Sequence, residues 1–376
     1  MSEIKTKTVS ETNSENTSEN TSNQSAETPK KKRKKWWLPI IIAVVVIAAA
    51  VIWYNIHMHY DIQPHEFYDI ETLQTEGRSY DGYSEVYMTK DISPEGLRAA
   101  YDVLGYTPTG KVAIKLSTGE AGNPNYLSPD LIKDLVQDLD GTIVECNTAY
   151  GGSRRLETEM HMQVAKDHGF TEIADVDIMD RDGHMVIPVE GGVHLKENWV
   201  GKNLANYDSV VVLTHFKGHP MGGFGGALKN ISIGIASNRG KVRIHSGGVF
   251  NKPTITMPAL VTNQDVFTDS MAEAAKSVYD YEGHGENIIF VSVMNRMSVD
   301  CDCVSSPAEV DMHDIGILSS RDPVALDQAC IDLVFGAEDG GSLQERILSK
   351  NGLNILKHAE EIGFGHRAYK LIRIDE

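Results

Sequence analysis

A glycine-rich segment that directly follows an apolar, β-branched run is the part of this chain best equipped for chemistry. The run Ser209–Thr214 predicts a buried strand, and His215, Lys217 and His219 follow it at alternating positions. In an extended backbone, alternate residues project to one side, so these three side chains are expected to converge. Ligand sites of α/β proteins lie at this end of the strands. The segment therefore predicts a binding site.

Six residues of this segment are candidates for binding an anionic group or a cofactor. Glycines permit backbone conformations that expose successive N–H groups, and ammonium groups neutralise negative charge. The candidates are Lys217, His219, Gly225, Gly226, Lys229 and Asn230. The alternative is a tight strand-to-helix turn whose glycines serve packing. If the segment is a binding site, replacing Lys217 or His219 by Ala changes the stability by at most about 0.5 kcal/mol.

The second chemistry-bearing feature is the run Asp300-Cys301-Asp302-Cys303. A bend between the cysteines would let two thiolates bind one ion, so Cys301 and Cys303 are predicted metal ligands. His215 and His219 are the candidates for completing the ligand set, and iron, an iron–sulfur centre and zinc are the candidate cofactors. A redox-active dithiol and a structural role stay open for the pair.

Four elements in fixed order resemble a bacterial and archaeal family, the domain of unknown function 362. They are Lys217-Gly218-His219, Gly226-Ala227-Leu228-Lys229-Asn230, Asp300-Cys301-Asp302-Cys303 and the run from Asp314 to Asp327. The resemblance spans about Lys111 to the C-terminus and implies an iron–sulfur-centre-like protein without a defined activity. The ferredoxin-like cysteine insertion of such members is missing. The only cysteines are Cys146, Cys301, Cys303 and Cys330, so a single cluster would recruit all four or use other ligands.

A helix start is expected at Asp322-Pro323, where proline is pre-organised and an acid complements the helix dipole. Asp327 lies one turn later, where it could face the site or solvent, and solvent is the expected side. Cys330, on the same helix, is expected to be a small buried apolar residue.

The segments that must position these residues alternate between strand and helix patterns. This alternation predicts an α/β fold, a mostly parallel sheet with helices on both faces. The predicted strands are Val112–Leu116, Thr142–Cys146, Ala174–Met179, Ser209–Thr214, Ile288–Val293, Ile315–Ser319 and Tyr369–Ile374. The predicted helices are Ser128–Leu139, Arg155–His168, Asp269–Tyr279, Val324–Phe335 and Leu353–Ile362.

The N-terminus predicts a membrane anchor ahead of this domain. Residues 1–35 are polar and end in six basic residues, which indicates a disordered cytoplasmic tail. Residues 36–54 are apolar with tryptophan at both ends, which predicts one transmembrane helix. The positive-inside rule then places a juxtamembrane connector, 55–109, and the α/β domain, 110–376, outside the cytoplasm of a single-pass membrane protein. A cleaved signal peptide is the alternative.

Charge narrows the classes of partner. The net charge is −18, and because the first 37 residues carry +3, the remainder carries −21. Nucleic acid is therefore excluded as a partner, whereas a small molecule or a metal ion is compatible.

Three functions follow from these features. The first is a membrane-anchored extracytoplasmic protein that holds a metal or metal-centred cofactor, with a metal-dependent oxidoreductase as the implied enzyme class. The second is a non-catalytic domain that binds an anion or a small solute. The third is an envelope scaffold whose glycine turns are structural. Metal content separates the first from the second, and ligand-dependent stabilisation separates the second from the third.

Overall fold

The computed structural model describes residues 38–58, 62–252 and 262–375. The chain divides into two compact units, Met1–Ala49 and Ala50–Glu376. The predicted tail, 1–35, and the first two residues of the predicted span lie outside the described residues. Helix α1 is Leu38–Met58. Among the helices of the described ranges, none is long and apolar enough to cross a membrane.

The described residues after α1 form strands and helices in alternation. The strands are β1 (Ser84–Thr89), β2 (Val112–Lys115), β3 (Thr142–Glu145), β4 (Val176–Ile178), β5 (His184–Pro188), β6 (Glu197–Gly201), β7 (Ser209–His215), β8 (Lys217–His219), β9 (Gly223–Gly225), β10 (Ile288–Met294), β11 (Gly316–Ser320) and β12 (Tyr369–Arg373). The helices are α2 (Ile70–Thr75), α3 (Pro94–Asp102), α4 (Pro129–Asp138), α5 (Thr158–Asp167), α6 (Ala227–Ser232), α7 (Asn238–His245), α8 (Gln264–Tyr281), α9 (Pro323–Gly336), α10 (Gly341–Ser349) and α11 (Asn354–Glu361). All the strands and helices predicted within residues 110–376 are present.

Eight strands form one sheet in the order β12-β1-β11-β10-β7-β2-β3-β4. Five neighbouring pairs are parallel, and only β11 runs antiparallel to its two neighbours. The α/β fold with a mostly parallel sheet is therefore confirmed. Two short antiparallel pairs, β5-β6 and β8-β9, lie outside this sheet.

Helices cover both faces of the sheet because its central strands are apolar on both sides. Every residue of β2, β7 and β10 is buried. Alternate residues of β7 join different cores: Val210 and Val212 pack with α6, α8, α9 and α11, whereas Val211 and Leu213 pack with α3 and α4. This is the pattern expected for strands buried between two helical layers.

The connection between β10 and β11 brings the cysteine pair to the carboxyl ends of the parallel strands. Met294, the last residue of β10, pairs with Gly316, the first residue of β11. Because the two strands are antiparallel, the loop 295–315 starts and ends at one edge of the sheet. That edge also holds the ends of β2, β3 and β7. From β2 the chain adds β3 and β4 towards one side of the sheet, and β7 and β10 lie on the other side of β2. The order of the strands therefore reverses between β2 and β7, and α/β folds form a ligand crevice at such a point.

Strand β1 lies within the segment 55–109, which was predicted to be a juxtamembrane connector. β1 pairs with β11 and with β12, the last strand of the chain. Its residues are therefore part of the same sheet as residues 110–376. The pattern SEVYMT contains too few aliphatic residues to stand out as a strand.

Candidate functional site

A cavity of about 290 Å³ lies at the carboxyl ends of β3, β2 and β7. Its wall combines strand ends, the turn before α6, helix α7 and the cysteine loop after β10. The charged and thiol side chains that line it are Lys115, Glu145, Cys146, Arg155, Lys217, Lys229, Lys241, Cys301 and Cys303. Five of these residues are basic, in a protein whose net charge is −18.

Lys115 is the last residue of β2 and is almost fully buried. Its Nζ lies 2.5 Å from the carbonyl oxygen of Leu116, 3.0 Å from Oδ1 of Asn230 and 3.7 Å from a carboxylate oxygen of Glu145. Burial lowers the pKa of Lys115 to about 8. Lys115 thus lines the cavity at the end of an otherwise apolar strand, and it was not among the residues predicted from the sequence.

Glu145, the last residue of β3, is the main carboxylate facing these cations. Its Oε1 accepts hydrogen bonds from Arg155 Nη1 at 3.1 Å and from the amide of Thr118 at 2.7 Å. Burial acts to raise the pKa of this carboxyl, but Lys115, His161 and Arg155 hold it well below its usual range. Glu145 was also missed, although its charge inside a predicted strand could have identified it.

Asp302 joins the cysteine loop to the residues that follow β7. Its Oδ1 lies 2.8 Å from Nδ1 of His215, and its Oδ2 lies 2.9 Å from Nζ of Lys217. Burial acts to raise the pKa of Asp302, but Lys217 and His215 hold it well below its usual range. Nε2 of His215 faces the carbonyl oxygen of Asn295 at 2.7 Å, so neither ring nitrogen is open to an ion. The structure therefore does not bring His215 into the ligand set.

The other three predicted metal ligands lie together. One ligand atom each from His219, Cys301 and Cys303 falls within 4.8 Å of the other two. The backbone turns at residues 302 and 303, which provides the bend that two thiolates need to meet. The hydrogen bond from Cys303, joined by the ammonium of Lys229, holds the pKa of Cys301 well below its usual range. Nζ of Lys229 lies 3.5 Å from Cys301 Sγ.

The four cysteines do not meet at one point. Cys146 lines the cavity, but its thiol faces the carbonyl oxygen of Ile235 at 3.3 Å. Cys330 is fully buried in one of the two cores, as expected. A cluster held by all four thiolates therefore does not fit this structure, whereas Cys301, Cys303 and His219 lie close enough together to share a single ion.

The glycine-rich turn is packed closely, and part of it serves the fold. Strands β8 and β9 pair through Lys217 and Gly225, and a side chain at Gly225 would lie 3.3 Å from Cε of Lys217. A side chain at Gly226 would collide with the carboxylate of Asp327. Gly225 thus leaves room for the lysine, and Gly226 leaves room for an acid.

Asp327 does not face solvent, which corrects the expectation from its position in α9. It is fully buried and accepts hydrogen bonds from the amides of Ala227 at 2.7 Å and Leu228 at 2.9 Å. Burial raises its pKa to about 7. These first amides of α6 are therefore occupied by the protein itself and are not open to a ligand. Asp322 caps α9 through Val324 and Ala325, as expected.

Helix α7 supplies two cavity residues that the sequence did not indicate, Lys241 and His245. Lys241 is buried, and its Nζ contacts the carbonyl oxygens of Ala236 at 2.6 Å and Cys146 at 3.5 Å. Burial lowers its pKa. The alternation of charged and apolar residues in this helix is typical of any surface helix, so the sequence carried no signal for either residue.

The cations of the cavity outnumber their carboxylate partners. Arg155 and Lys115 pair with Glu145, Arg155 also pairs with Glu120 at 3.7 Å, and Lys217 pairs with Asp302. In the described part of the chain, Lys229 and Lys241 form no ion pair with a carboxylate, and their nearest partners are a thiol and two carbonyl oxygens. The Cys301 thiol, whose pKa the Lys229 ammonium lowers, offsets part of this charge, and Lys241 contacts only carbonyl oxygens, so the remaining excess of buried positive charge favours a bound anion.

Comparison with known proteins places the chain in a family. Two solved structures are similar: the lactate racemase apoprotein from Thermoanaerobacterium thermosaccharolyticum, at 14% identity and a TM-score of 0.39, with 67% of this chain and 57% of that chain covered; and a protein from Thermotoga maritima, at 12% identity and a TM-score of 0.37, with 63% and 57% covered. The chain thus spans just over half the length of each. No match was found among the curated proteins. The family described as "Domain of unknown function (DUF362)" matches residues 112–332, more than half of the chain. This protein therefore belongs to the domain of unknown function 362 family.

Proposed function

We propose that the protein is a metal-dependent enzyme that acts on a small anion bound in the cavity. The observation that carries this proposal is the convergence of His219, Cys301 and Cys303 within 4.8 Å at the wall of a cavity rich in lysine. Two thiolates offset the charge of a divalent ion. Three protein ligands leave a coordination position open, which is the arrangement of catalytic sites.

A bound ion would polarise a substrate oxygen as a Lewis acid, and iron would in addition permit oxidation and reduction. Thiolate and imidazole ligands suit both zinc and iron, so the ligand set leaves the choice between them open. An oxidoreductase is the activity that an iron ion at this position would favour.

The chain's own residues would hold the substrate beside this position. Lys229 and Lys241 supply positive charge that no carboxylate neutralises within the described residues. Lys217 is held by Asp302, and Asn230 is held by Lys115 and by Thr214 at 3.0 Å, so both present fixed polar groups. Pre-organised charges of this kind stabilise negative charge without having to reorient.

The second candidate function is binding of an anion without a metal. It is favoured by the amide of Gly222, which donates to Nδ1 of His219 at 2.8 Å. In a neutral ring the proton then sits on Nε2, whereas metal-bound histidines donate from the nitrogen that does not hold the ion. His219 would bind an ion only after exchanging this hydrogen bond. In the metal-free case, its Nε2–H would donate to the anion instead.

Metal analysis tests the first function against the second. The full chain, purified without oxygen or chelator and supplied with iron or zinc, is expected to hold about one ion per chain. The double variant Cys301→Ser/Cys303→Ser should lose the ion while staying folded, because hydroxyls bind such ions far more weakly than thiolates do. Cys146→Ser is the matched control and should retain it. A wild-type content far below one ion per chain would refute the metal site.

We also propose that residues 36–54 anchor the protein in the membrane, with the N-terminus in the cytoplasm and the α/β domain outside. The proposal is supported by the six consecutive basic residues, 30–35, that precede the apolar run. Protease added to intact protoplasts is expected to digest the domain and to spare the tail. A protected C-terminal domain would overturn this topology.

A further inference from the structure

His245 is a cavity residue that the proposed function does not yet use. It is the last residue of α7, and its ring lies against Phe267 with centroids 4.8 Å apart, which fixes the plane of the imidazole. Its Nδ1 lies 2.6 Å from the carbonyl oxygen of Lys241. A carbonyl oxygen only accepts hydrogen bonds, so Nδ1 carries the proton.

The other ring nitrogen of His245 is open to the cavity. Burial, joined by the charges of Lys229 and Lys241, lowers the pKa of His245 to about 4, so the ring is neutral near pH 7 and Nε2 holds a lone pair. Within the described residues Nε2 has no hydrogen-bond partner, yet it is not among the fully enclosed polar atoms without a partner. Since His245 lines the cavity, this lone pair is available to a ligand there.

His219 shows the opposite arrangement in the same cavity. Its Nδ1 accepts the hydrogen bond from Gly222, so in the neutral ring Nε2 is a donor. The cavity thus offers one imidazole that donates, one that accepts, and two ammonium groups without carboxylate partners. A carboxylate or phosphate anion has only acceptor oxygens, so it forms a hydrogen bond with Nε2 of His245 only if the ligand also carries a donor group such as a hydroxyl.

We propose that His245 determines specificity, because its Nε2 accepts a hydrogen bond from a hydroxyl of the bound ligand, and that this ligand is a small dianion bearing a hydroxyl group. The two negative charges match Lys229 and Lys241, and the hydroxyl matches His245. The cavity volume of about 290 Å³ limits the ligand to a small molecule. The inference rests on the anion-binding part of the proposed function, and not on the metal ion.

Matched pairs of dianions that differ in hydroxylation test this assignment on the full chain. The pairs are malate with succinate, and glycerol 3-phosphate with propyl phosphate, so that the two pairs separate carboxylate from phosphate ligands. Affinity is measured by calorimetry and checked by the shift of the thermal midpoint. We expect the hydroxylated member of one pair to bind about five- to tenfold more tightly, which is the effect of one added hydrogen bond.

Two variants assign the preference to His245. His245→Phe keeps a ring against Phe267 but removes the acceptor, and should bind both members of the pair equally. His245→Gln supplies an amide oxygen and should restore part of the preference. The thermal midpoint without ligand is measured for both variants, so that loss of folding is recognised, and the glutamine variant carries the test if the phenylalanine variant does not fold.

Several outcomes would overturn the assignment. Binding of neither pair would refute a small dianion as the ligand, and equal binding within both pairs to the wild type would refute the hydroxyl. A preference that persists unchanged in His245→Phe would refute the role of His245. The ion content of the same samples separates this result from the proposed function: a hydroxyl preference without a bound ion refutes only the metal site, and a bound ion without dianion binding refutes only this inference.

Discussion

Two clusters of titratable side chains lie in this domain, and they differ in how their charges are matched. The first, here called the closed cluster, consists of His194, Asp269, Glu273 and His358. Glu273 accepts hydrogen bonds from the amides of residues 193, 194 and 195 and from Nε2 of His358, at 2.7–3.1 Å. Asp269 accepts from Nε2 of His194 at 3.0 Å and from Asn354 at 2.7 Å. Each carboxylate is thus surrounded by donors.

The second cluster is the cavity, where cations are in excess and space is left between them. Lys229 and Lys241 lack carboxylate partners among the described residues, and His245 presents an open lone pair. Complete pairing stabilises a fold, whereas incomplete pairing next to a cavity leaves interaction energy for a ligand. Substitutions in the closed cluster should therefore affect stability alone, and those of the cavity lysines without a carboxylate partner should affect mainly binding.

The largest effect is expected for Glu273→Ala. The substitution leaves three backbone N–H groups and His358 without their acceptor, so the free energy of unfolding should fall by about 3–5 kcal/mol. Denaturant unfolding measures the loss. Glu361→Ala is the control, because Glu361 is exposed and lies 3.9 Å from the same His358, and it should cost less than about 1 kcal/mol. Equal losses in both variants would contradict the distinction between buried and exposed partners.

A smaller loss of stability is expected for Lys217→Met. Oδ2 of Asp302 has no hydrogen bond within the described residues and faces only the Lys217 ammonium. Replacing Lys217 leaves this carboxylate oxygen without its partner, so the free energy of unfolding should fall by about 1–3 kcal/mol. This replaces the expectation from the sequence that Lys217 contributes little to stability. Urea unfolding of the variant decides between the two, and a change of less than about 0.5 kcal/mol would restore the first expectation.

In both clusters stability should rise with pH, but in different pH ranges. The pKa of Glu273 is lowered, so its stabilisation is present at neutral pH and is lost as the pH falls below about 4.5. The pKa of Lys115 is lowered to about 8, so between pH 8 and about 10.5 the unfolded chain binds more protons and stability rises with pH.

Lys115→Met should remove that alkaline rise. The difference in unfolding free energy between wild type and variant is expected to shift by about 1–3 kcal/mol in favour of the wild type from pH 8 to pH 10.5. Lys133→Met, at an exposed lysine of α4, is the control and should show no such shift. A flat difference for Lys115→Met would mean that this lysine is not held in an unfavourable buried environment.

The smallest effect on stability is expected for Lys229→Met, within about 0.5 kcal/mol of the wild type. Nζ of Lys229 contacts Cys301 Sγ and no carboxylate of the described structure. Removing this lysine therefore leaves no buried carboxylate without a partner. Dianion binding, measured by calorimetry on the same sample, should nevertheless fall at least tenfold. A loss of stability with unchanged dianion binding would mean that Lys229 serves the fold and not a ligand. The cavity would then not differ from the closed cluster in its role.

Closeness in sequence decided only part of how the predicted site residues are arranged. Cys301 and Cys303 are two residues apart, so one turn brings them together. His215, Lys217 and His219 were expected to converge on one point, but His215 and Lys217 turn to Asp302 and only His219 reaches the cysteines. The alternating spacing of these three residues identified them as candidates, but the groups they contact lie in the loop 295–315, about 80 residues later.

Residues contributed by single positions on distant elements could not be predicted. Lys115, Glu145, Lys241 and His245 come from β2, β3 and α7. The charges of Lys115 and Glu145 in apolar strands are a signal for those two residues, but nothing in the sequence shows that the four side chains line one cavity. Asp327 was expected to face solvent because nothing in α9 shows that the amides of α6, a hundred residues earlier, lie against it. Strand β1 was missed because its pairing with β11 and β12, and not its own pattern, makes it a strand.

The sequence by itself determined the alternation of strands and helices, the basic run before the apolar segment, the cap of α9, and the pair of thiols. These features depend on hydrophobic periodicity and on contacts a few residues apart, which the order of residues specifies directly. Only the tertiary structure decided which charges are paired and which remain for a ligand. Pairing depends on distances of a few ångströms between residues a hundred positions apart, and the packing of the sheet and its helices sets those distances.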